Sequence, residues 1–324
     1  MKDNRDLQFR SPLVASLATE KLLVGLHRGI GLKVTGPRIV FSRYDASTGT
    51  EQIYAVDPND PTSETNISSP SPLAQYPHDE CPSISSTGLI AFSRGSGGYT
   101  GAIFTMNIDG SRQTQITTPP VGLWDNQPAW SGDGKYIAFV RSYQIWIANA
   151  NGTNAHPVVA YPTSPFALDH TPTWNPTDNT QIAFWREHGG ISAIMTLKIT
   201  PNSSTPTSTA PVNVSNPGKD DWDGWPSWSP DGAQIAFWRN RGGQAAIWIL
   251  TLSTATATQL SKFAAPGDQD RTPCWSPSGS EIACARTSWV DWQIFILETN
   301  GSGVRSASQG GAHCDFYPSW HDYV

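Results

Sequence analysis

Apolar and polar positions along this chain fall into short runs that return at a near-constant interval. Ile235-Ala-Phe-Trp238 is apolar and ends on Arg239. Before it stands Pro226-Ser-Trp-Ser-Pro-Asp-Gly232. Short runs rich in β-branched and aromatic residues, bounded by Pro, Asp and Gly, predict strands joined by tight turns. In Pro230-Asp-Gly232 the proline presets φ, the aspartate can bond its own backbone, and the glycine supplies positive φ. The same apolar strand recurs as Ile90-Ala-Phe92, Ile137-Ala-Phe139, Ile182-Ala-Phe184 and Ile282-Ala-Cys284. A further strand follows each time, as in Gln144-Ile-Trp-Ile-Ala148 and Ala246-Ile-Trp-Ile-Leu250, and a weaker one is predicted at Gln113–Ile116 and Ala257–Leu260.

The proline that opens the pattern aligns the repeats. It recurs as Pro82, Pro128, Pro172, Pro226, Pro273 and Pro318, at spacings of 46, 44, 54, 47 and 45 residues. Two positions later stand Ile84, Trp130, Trp174, Trp228, Trp275 and Trp320, with a small residue between. The last repeat, ending in Trp320, has only its first strand. Arg38–Arg43 and Gln52–Val56 read as second and third strands without a first. The two ends therefore complete one shared repeat. A period near 45 residues with four strands predicts an all-β, six-bladed β-propeller of four-stranded antiparallel blades, closed by its N- and C-terminal strands. Closure removes the open sheet edge that invites aggregation. The propeller is expected over residues 37–324, and residues 1–36 as an N-terminal arm, a short helix or disordered.

Trp228-Ser-Pro-Asp-Gly232, Trp130-Ser-Gly-Asp-Gly134 and Trp275-Ser-Pro-Ser-Gly279 resemble the TolB-like, WD40-like repeat of the PD40 type. The resemblance covers residues 37–324. It is specific for fold and says little about function, since the family includes the periplasmic protein of the Tol–Pal system, propeller domains in front of serine peptidases and stand-alone propellers. It implies a periplasmic or secreted location. The chain as given carries the repeats without an α/β domain or a hydrolase domain beside them.

Composition narrows the classes. A net charge of −6 gives no basic footprint for nucleic acid. No apolar run is long enough to span a bilayer, and Asp3, Asp6 and Glu20 interrupt what a signal peptide would need. The cysteines, Cys81, Cys274, Cys284 and Cys314, match no zinc spacing. They are expected as small buried thiols, with a Cys81–Cys314 disulfide as the alternative.

Three residues before each anchor proline stands Asp79, Asp125, Asp169, Asp223, Asp270 or Asp315, and two after each Ile-Ala-Phe run stands Arg43, Arg94, Arg141, Arg186, Arg239 or Arg286. Counting back from the Pro277–Ser280 turn places Arg271 opposite Arg286 and Asp270 opposite Thr287, so Asp and Arg are near neighbours. Structural ion pairs are expected, because the planar Arg fork suits a carboxylate. The alternative is a carboxylate ring holding Ca²⁺ in the central channel; otherwise no cofactor is expected.

Function is sought where the repeats differ, since common positions serve the fold. Trp124, Trp222, Trp225, Trp289, Trp292 and Tyr317, with His170 and Arg271, gather on the rim that starts the first strands. Aromatic clusters with interleaved polar groups mark binding surfaces. The chain has no Gly-x-Ser-x-Gly elbow, His-Glu-x-x-His run or P-loop, and no catalytic residue is assigned. The expectation is a monomeric, non-enzymatic binding protein whose aromatic channel face takes a protein segment or a carbohydrate. Lectin-type sugar binding and a channel-centred, metal-dependent lyase or hydrolase are the alternatives.

Overall fold

The computed structural model describes residues 36–68, 78–95, 101–158, 167–201, 207–263, 267–287, 291–311 and 313–323. The arm expected at 1–36 falls outside them, except Gly36. Among the described residues every regular element is a β-strand. The strands group into antiparallel units in which each pairs with the next. Trp222–Trp228 pairs with Gln234–Arg241, which pairs with Gln244–Thr251, which pairs with Thr256–Gln259. Units starting at His78–Ile84, Asp125–Trp130, Leu168–Asn175 and Gln269–Trp275 repeat this order. In the remaining unit the first strand is His313–Tyr323, which pairs with Gly36–Asp45, so the two ends of the chain share one sheet. The 54-residue spacing has a local cause: extra chain lies between Ile191–Lys198 and the short strand Val212–Asn213.

The turn in Pro230-Asp-Gly232 is held as its residues require. Gly232 has φ +70, its N–H donates to Ser229 O at 2.9 Å, and Ser229 Oγ donates to Asp231. A Cβ on Gly232 would lie 2.5 Å from Asn175 Oδ1 and Thr177 Oγ1 of the preceding unit, so only glycine fits.

One register prediction is corrected. Asp270 stands directly opposite Arg286, and Gln269 opposite Thr287, because the ladder shifts by one between Arg271 and Cys274. The shift recurs in each first strand at the residue before the anchor proline. Cys81, Gln127, Thr171, Trp225, Thr272 and Tyr317 all have φ between 40 and 56. Proline cannot donate to the ladder and crowds its predecessor out of the right-handed helical region. The result is a bulge whose left-handed residue costs on the order of 1–3 kcal/mol when it carries a side chain. Side chains satisfy the displaced N–H groups: Cys81 N–H donates to Ser42 Oγ (3.0 Å), Gln127 N–H to Ser93 Oγ (3.1 Å) and Thr171 N–H to Gln127 Oε1 (2.9 Å).

Hydrophobic clusters lie between consecutive units. Trp174 packs with Tyr136 and Ile145 of the unit before it, and Trp275 with Ala236 and Ile247. Ile39 and Phe41 pack with Ala283 and Ile294, joining the N-terminal strands to the last complete unit. The indole N–H groups of Trp174 and Trp228 donate to Ala129 O (3.1 Å) and Thr173 O (3.3 Å) across the same seams. The small residue after the proline has a matching role. Ser83, Ser227 and Ser319 hydroxyls accept from the backbone N–H of Trp130, Trp275 and Ile84 in the neighbouring unit. Burying each indole is worth on the order of 2–3 kcal/mol.

The Asp residues of this series are 5% exposed or less. Each takes a two-pronged grip from the Arg opposite it, with Nε to Oδ1 at 2.6–2.7 Å and Nη2 to Oδ2 at 2.6–2.8 Å. The guanidinium of Arg43, Arg94, Arg141, Arg186 or Arg239 lies 5.1–5.4 Å from the ring of the Phe two residues before it. Where Cys284 replaces that Phe, Arg286 lies over Phe295 on the adjoining strand at 5.4 Å.

Removing one partner leaves the other charge buried, which costs about 3–5 kcal/mol. Arg239→Met is therefore expected to lose that much stability in urea unfolding followed by tryptophan fluorescence. Adding Asp223→Asn should return part of the loss. Additive losses would show that the pair is not energetically coupled.

Candidate functional site

The first strands of consecutive units touch one another, and His313–Tyr323 touches both Gln269–Trp275 and His78–Ile84. Where they meet lies a cavity of about 150 Å³, walled mainly by the pre-proline residues, the prolines and the small residues after them. The bulge places these side chains there. The Asp series stands elsewhere: none of its members lines the cavity, and both oxygens of each carboxylate are held by an arginine. The carboxylate ring that Ca²⁺ would need in this channel is thus not formed by these residues.

The rim residues assemble unevenly. The His170 ring stacks on Trp185 at 4.1 Å, Trp185 on Trp225 at 5.5 Å, and Trp225 on Tyr317 at 6.1 Å. Tyr317 meets Phe316, which meets Trp292 at 5.1 Å. On the other side Tyr143 packs edge-on to His170 and to Trp124, each at 5.3 Å. Trp225 and Tyr317 also line the cavity. Arg271 lies between two indoles, 5.5 Å from Trp238 and 5.2 Å from Trp292, and donates to Gln269 Oε1 at 2.9 Å. Trp222 stands apart from this array and is 45% exposed. Trp289 falls outside the described residues.

Burial sets the electrostatics of the mouth. It pushes His170 down to about 4, so the imidazole is neutral at physiological pH. It lowers Arg271 from the ordinary arginine range, and it raises the Tyr317 hydroxyl well above the usual phenol value, with Cys81, Glu51 and Glu80 adding to the rise. Several polar atoms here have no protein partner: His170 Nε2, Trp225 Nε1, Arg271 Nε, and the hydroxyls of Thr171 and Thr272. Thr272 is only 5% exposed. An unsatisfied buried donor or acceptor costs about 1–3 kcal/mol, which a ligand that pairs with it recovers.

The alternative of a Cys81–Cys314 disulfide is corrected: all four cysteines are free, with Cys284 a buried residue and Cys81, Cys274 and Cys314 half-buried ones. The bulge turns Cys81 toward the cavity, and Cys274 lines it from the position after its proline. Burial pushes the Cys274 thiol up to about 11, which keeps it a weak nucleophile. Sequence reasoning also passed over Trp185, Trp238, Tyr143 and Glu51. The first two were marked, since only Ile182-Ala-Phe-Trp185 and Ile235-Ala-Phe-Trp238 carry an indole at that repeat position.

No protein-family model matches the chain, and no curated protein matches it. Solved structures do. TolB from Acinetobacter baumannii superposes with a TM-score of 0.69 at 18% identity, covering 95% of this chain and 71% of that one. A chain of a nidogen/laminin complex gives 0.65 at 11% identity, covering 88% and 98%. Oligogalacturonate lyase in complex with manganese gives 0.55 at 10% identity, covering 84% and 74%. Identities this low speak for architecture and not for activity. With the repeated strands, bulges and inter-unit tryptophans already described, they establish that this chain has the fold of the TolB-like β-propellers.

Proposed function

We propose that the chain is a six-bladed propeller over residues 37–324, closed where His313–Tyr323 pairs with Gly36–Asp45, and that it is a non-enzymatic binding protein whose channel mouth holds part of a protein segment. The observation that carries the binding reading is the set of partnerless polar atoms on Trp225, His170, Arg271 and Thr272 beside stacked rings. Apolar walls with a few unpaired donors and acceptors are what a recognition pocket offers. A cavity of about 150 Å³ suits one inserted side chain or chain end better than a ring-sized ligand. The likeness to a chain of a nidogen/laminin complex, an assembly of proteins, supports a protein partner. The paired Asp and Arg residues act on this reading as architecture, and the propeller works as a monomer.

A second reading rests on Trp222. Its exposure leaves an indole face open for stacking on a sugar. The other rings of the rim are engaged with one another, which favours the protein segment over a broad sugar platform.

Peptides selected from a random library on the wild-type protein are expected to bind at micromolar affinity and to lose at least about tenfold with Cys274→Phe, which fills the channel. The melting temperature should stay near wild type. Selected peptides that bind the filled variant equally well would overturn the channel reading. Glycan-array binding abolished by Trp222→Ala would establish the second reading instead.

His170 supplies a pH dependence. Its folded-state value is depressed to about 4 from the ordinary histidine value of 6.5, so between those values the unfolded chain takes up the proton and the folded chain does not. Stability then falls as pH drops from about 6.5 toward 4 and is unaffected by this group above that range. His170→Phe, which keeps the stack on Trp185, should show a shallower loss between pH 7 and 4.5 by about 2 kcal/mol. Equal slopes in pH-dependent melts would show that burial of His170 is not the cause.

A further inference from the structure

Away from the aromatic array, Glu51, His78 and Glu80 bring one ligating atom each to within 4.8 Å of one another. The backbone sets this meeting. Glu51 is the second residue of Thr50–Asp57, the third strand of one unit, and a parallel bridge places it beside His78, the first residue of the next unit's first strand. His78 and Glu80 are two apart on that strand and so share a face. The side chains are half-buried.

The repeat supplies the control. The same bridge joins Ser192 to Trp222 and Trp292 to Cys314. At the positions of Glu51 and Glu80, another unit carries Tyr143 and His170 in ring contact, and another carries Trp292 and Phe316 in ring contact. In no other unit do the three positions hold more than one His, Cys, Asp or Glu. A place that elsewhere packs rings here collects three metal-binding side chains, and positions that differ between repeats are where function sits.

The charges at this place also lack an arginine. Neighbouring Asp79 is gripped by Arg94, while no ion pair among the described residues involves Glu51 or Glu80. Glu51 and Glu80 each bring a ligating oxygen to within 4.8 Å of the other. Two carboxylates held close without a cation repel, and a bound cation relieves both repulsion and desolvation.

We propose that Glu51, His78 and Glu80 form a site for a divalent first-row transition-metal ion. One imidazole with two carboxylates is a donor set for Zn²⁺ or Mn²⁺, since the nitrogen sets it apart from the all-oxygen shells that calcium and magnesium use. Donors around such an ion stand roughly 3–4 Å apart, so small side-chain torsions close the set. Three protein ligands leave a position for solvent or an incoming group. The site lies near the cavity, because Glu80 precedes Cys81, which lines it, on the strand His78–Ile84. This proposal does not rest on the protein-segment reading.

Isothermal titration of the chelator-treated full chain with ZnCl₂, and separately MnCl₂, tests it. The expected result is saturable binding of one ion per chain for at least one metal. His78→Ala and Glu80→Gln should each weaken it by at least about tenfold, with far-UV dichroism unchanged. Glu51→Gln serves as the second variant if either misfolds. Glu281→Gln, at the start of the strand Glu281–Thr287 in another unit, should bind as wild type. Absence of saturable binding for both metals, or binding that survives His78→Ala, Glu80→Gln and Glu51→Gln unchanged, would overturn the site.

Discussion

The second strand of each unit is buried on both faces. Tyr136–Arg141 has every residue buried, and Ile90, Ala91 and Phe92 have no exposed surface. A four-stranded sheet cannot cover two apolar faces by itself, so each unit depends on a neighbour at either side. The anchor tryptophans meet that requirement by reaching back into the preceding unit, where Trp174 and Trp228 also hydrogen-bond to its backbone. The shared sheet of the chain ends follows from the same need. Without Ile39 and Phe41 against Ala283 and Ile294, the terminal units would each leave an apolar face in water.

The bulges that line the cavity are a consequence of how the first strand meets that constraint. It must carry an Asp opposite an Arg on one side of the proline and a Trp across the seam on the other. A proline and a left-handed residue between them absorb one extra position and turn the pre-proline side chain toward the cavity. Backbone cost at these residues is thus tied to the fold, yet the side chains themselves differ: Cys81, Gln127, Thr171, Trp225, Thr272 and Tyr317. A uniform backbone device presents a non-uniform lining, so the side chains diverge while the first strands keep one backbone form.

The mouth divides into two chemistries. Around His170, Trp185, Trp225 and Tyr317 the stacked rings carry no charge of their own, since burial keeps the imidazole neutral. Around Glu51, His78 and Glu80 the surface is acidic and ligating. Tyr317 belongs to both, stacked on Trp225 and electrostatically coupled to Glu51 and Glu80. Arg271, held between Trp238 and Trp292, lends the aromatic side its positive charge.

The repeat was legible because its signals are local. Pro-x-Trp, Ile-Ala-Phe-x-Arg and the turn at Pro230-Asp-Gly232 each act within a few residues, through fixed φ, alternation and turn chemistry. So strand order, and the sharing of one unit by both chain ends, followed from counting. The tertiary structure alone decided the rest. Counting from the turn put Asp270 opposite Thr287; the bulge, a tertiary bargain between ladder and seam, moved it opposite Arg286. The fourth strands Asp60–Asn66, His156–Pro157 and Val304–Ser306 left little trace, being short or polar and held by pairing rather than burial. Which rim residues meet was also undetermined along the chain. Trp222 and Trp225 are three apart, yet one stays exposed and the other stacks on Tyr317 from a distant repeat. Glu51 and His78 lie 27 residues apart in sequence and meet only because a parallel bridge joins adjacent units. Proximity between units is a property of packing, and packing is set by whole faces rather than by any local run of residues.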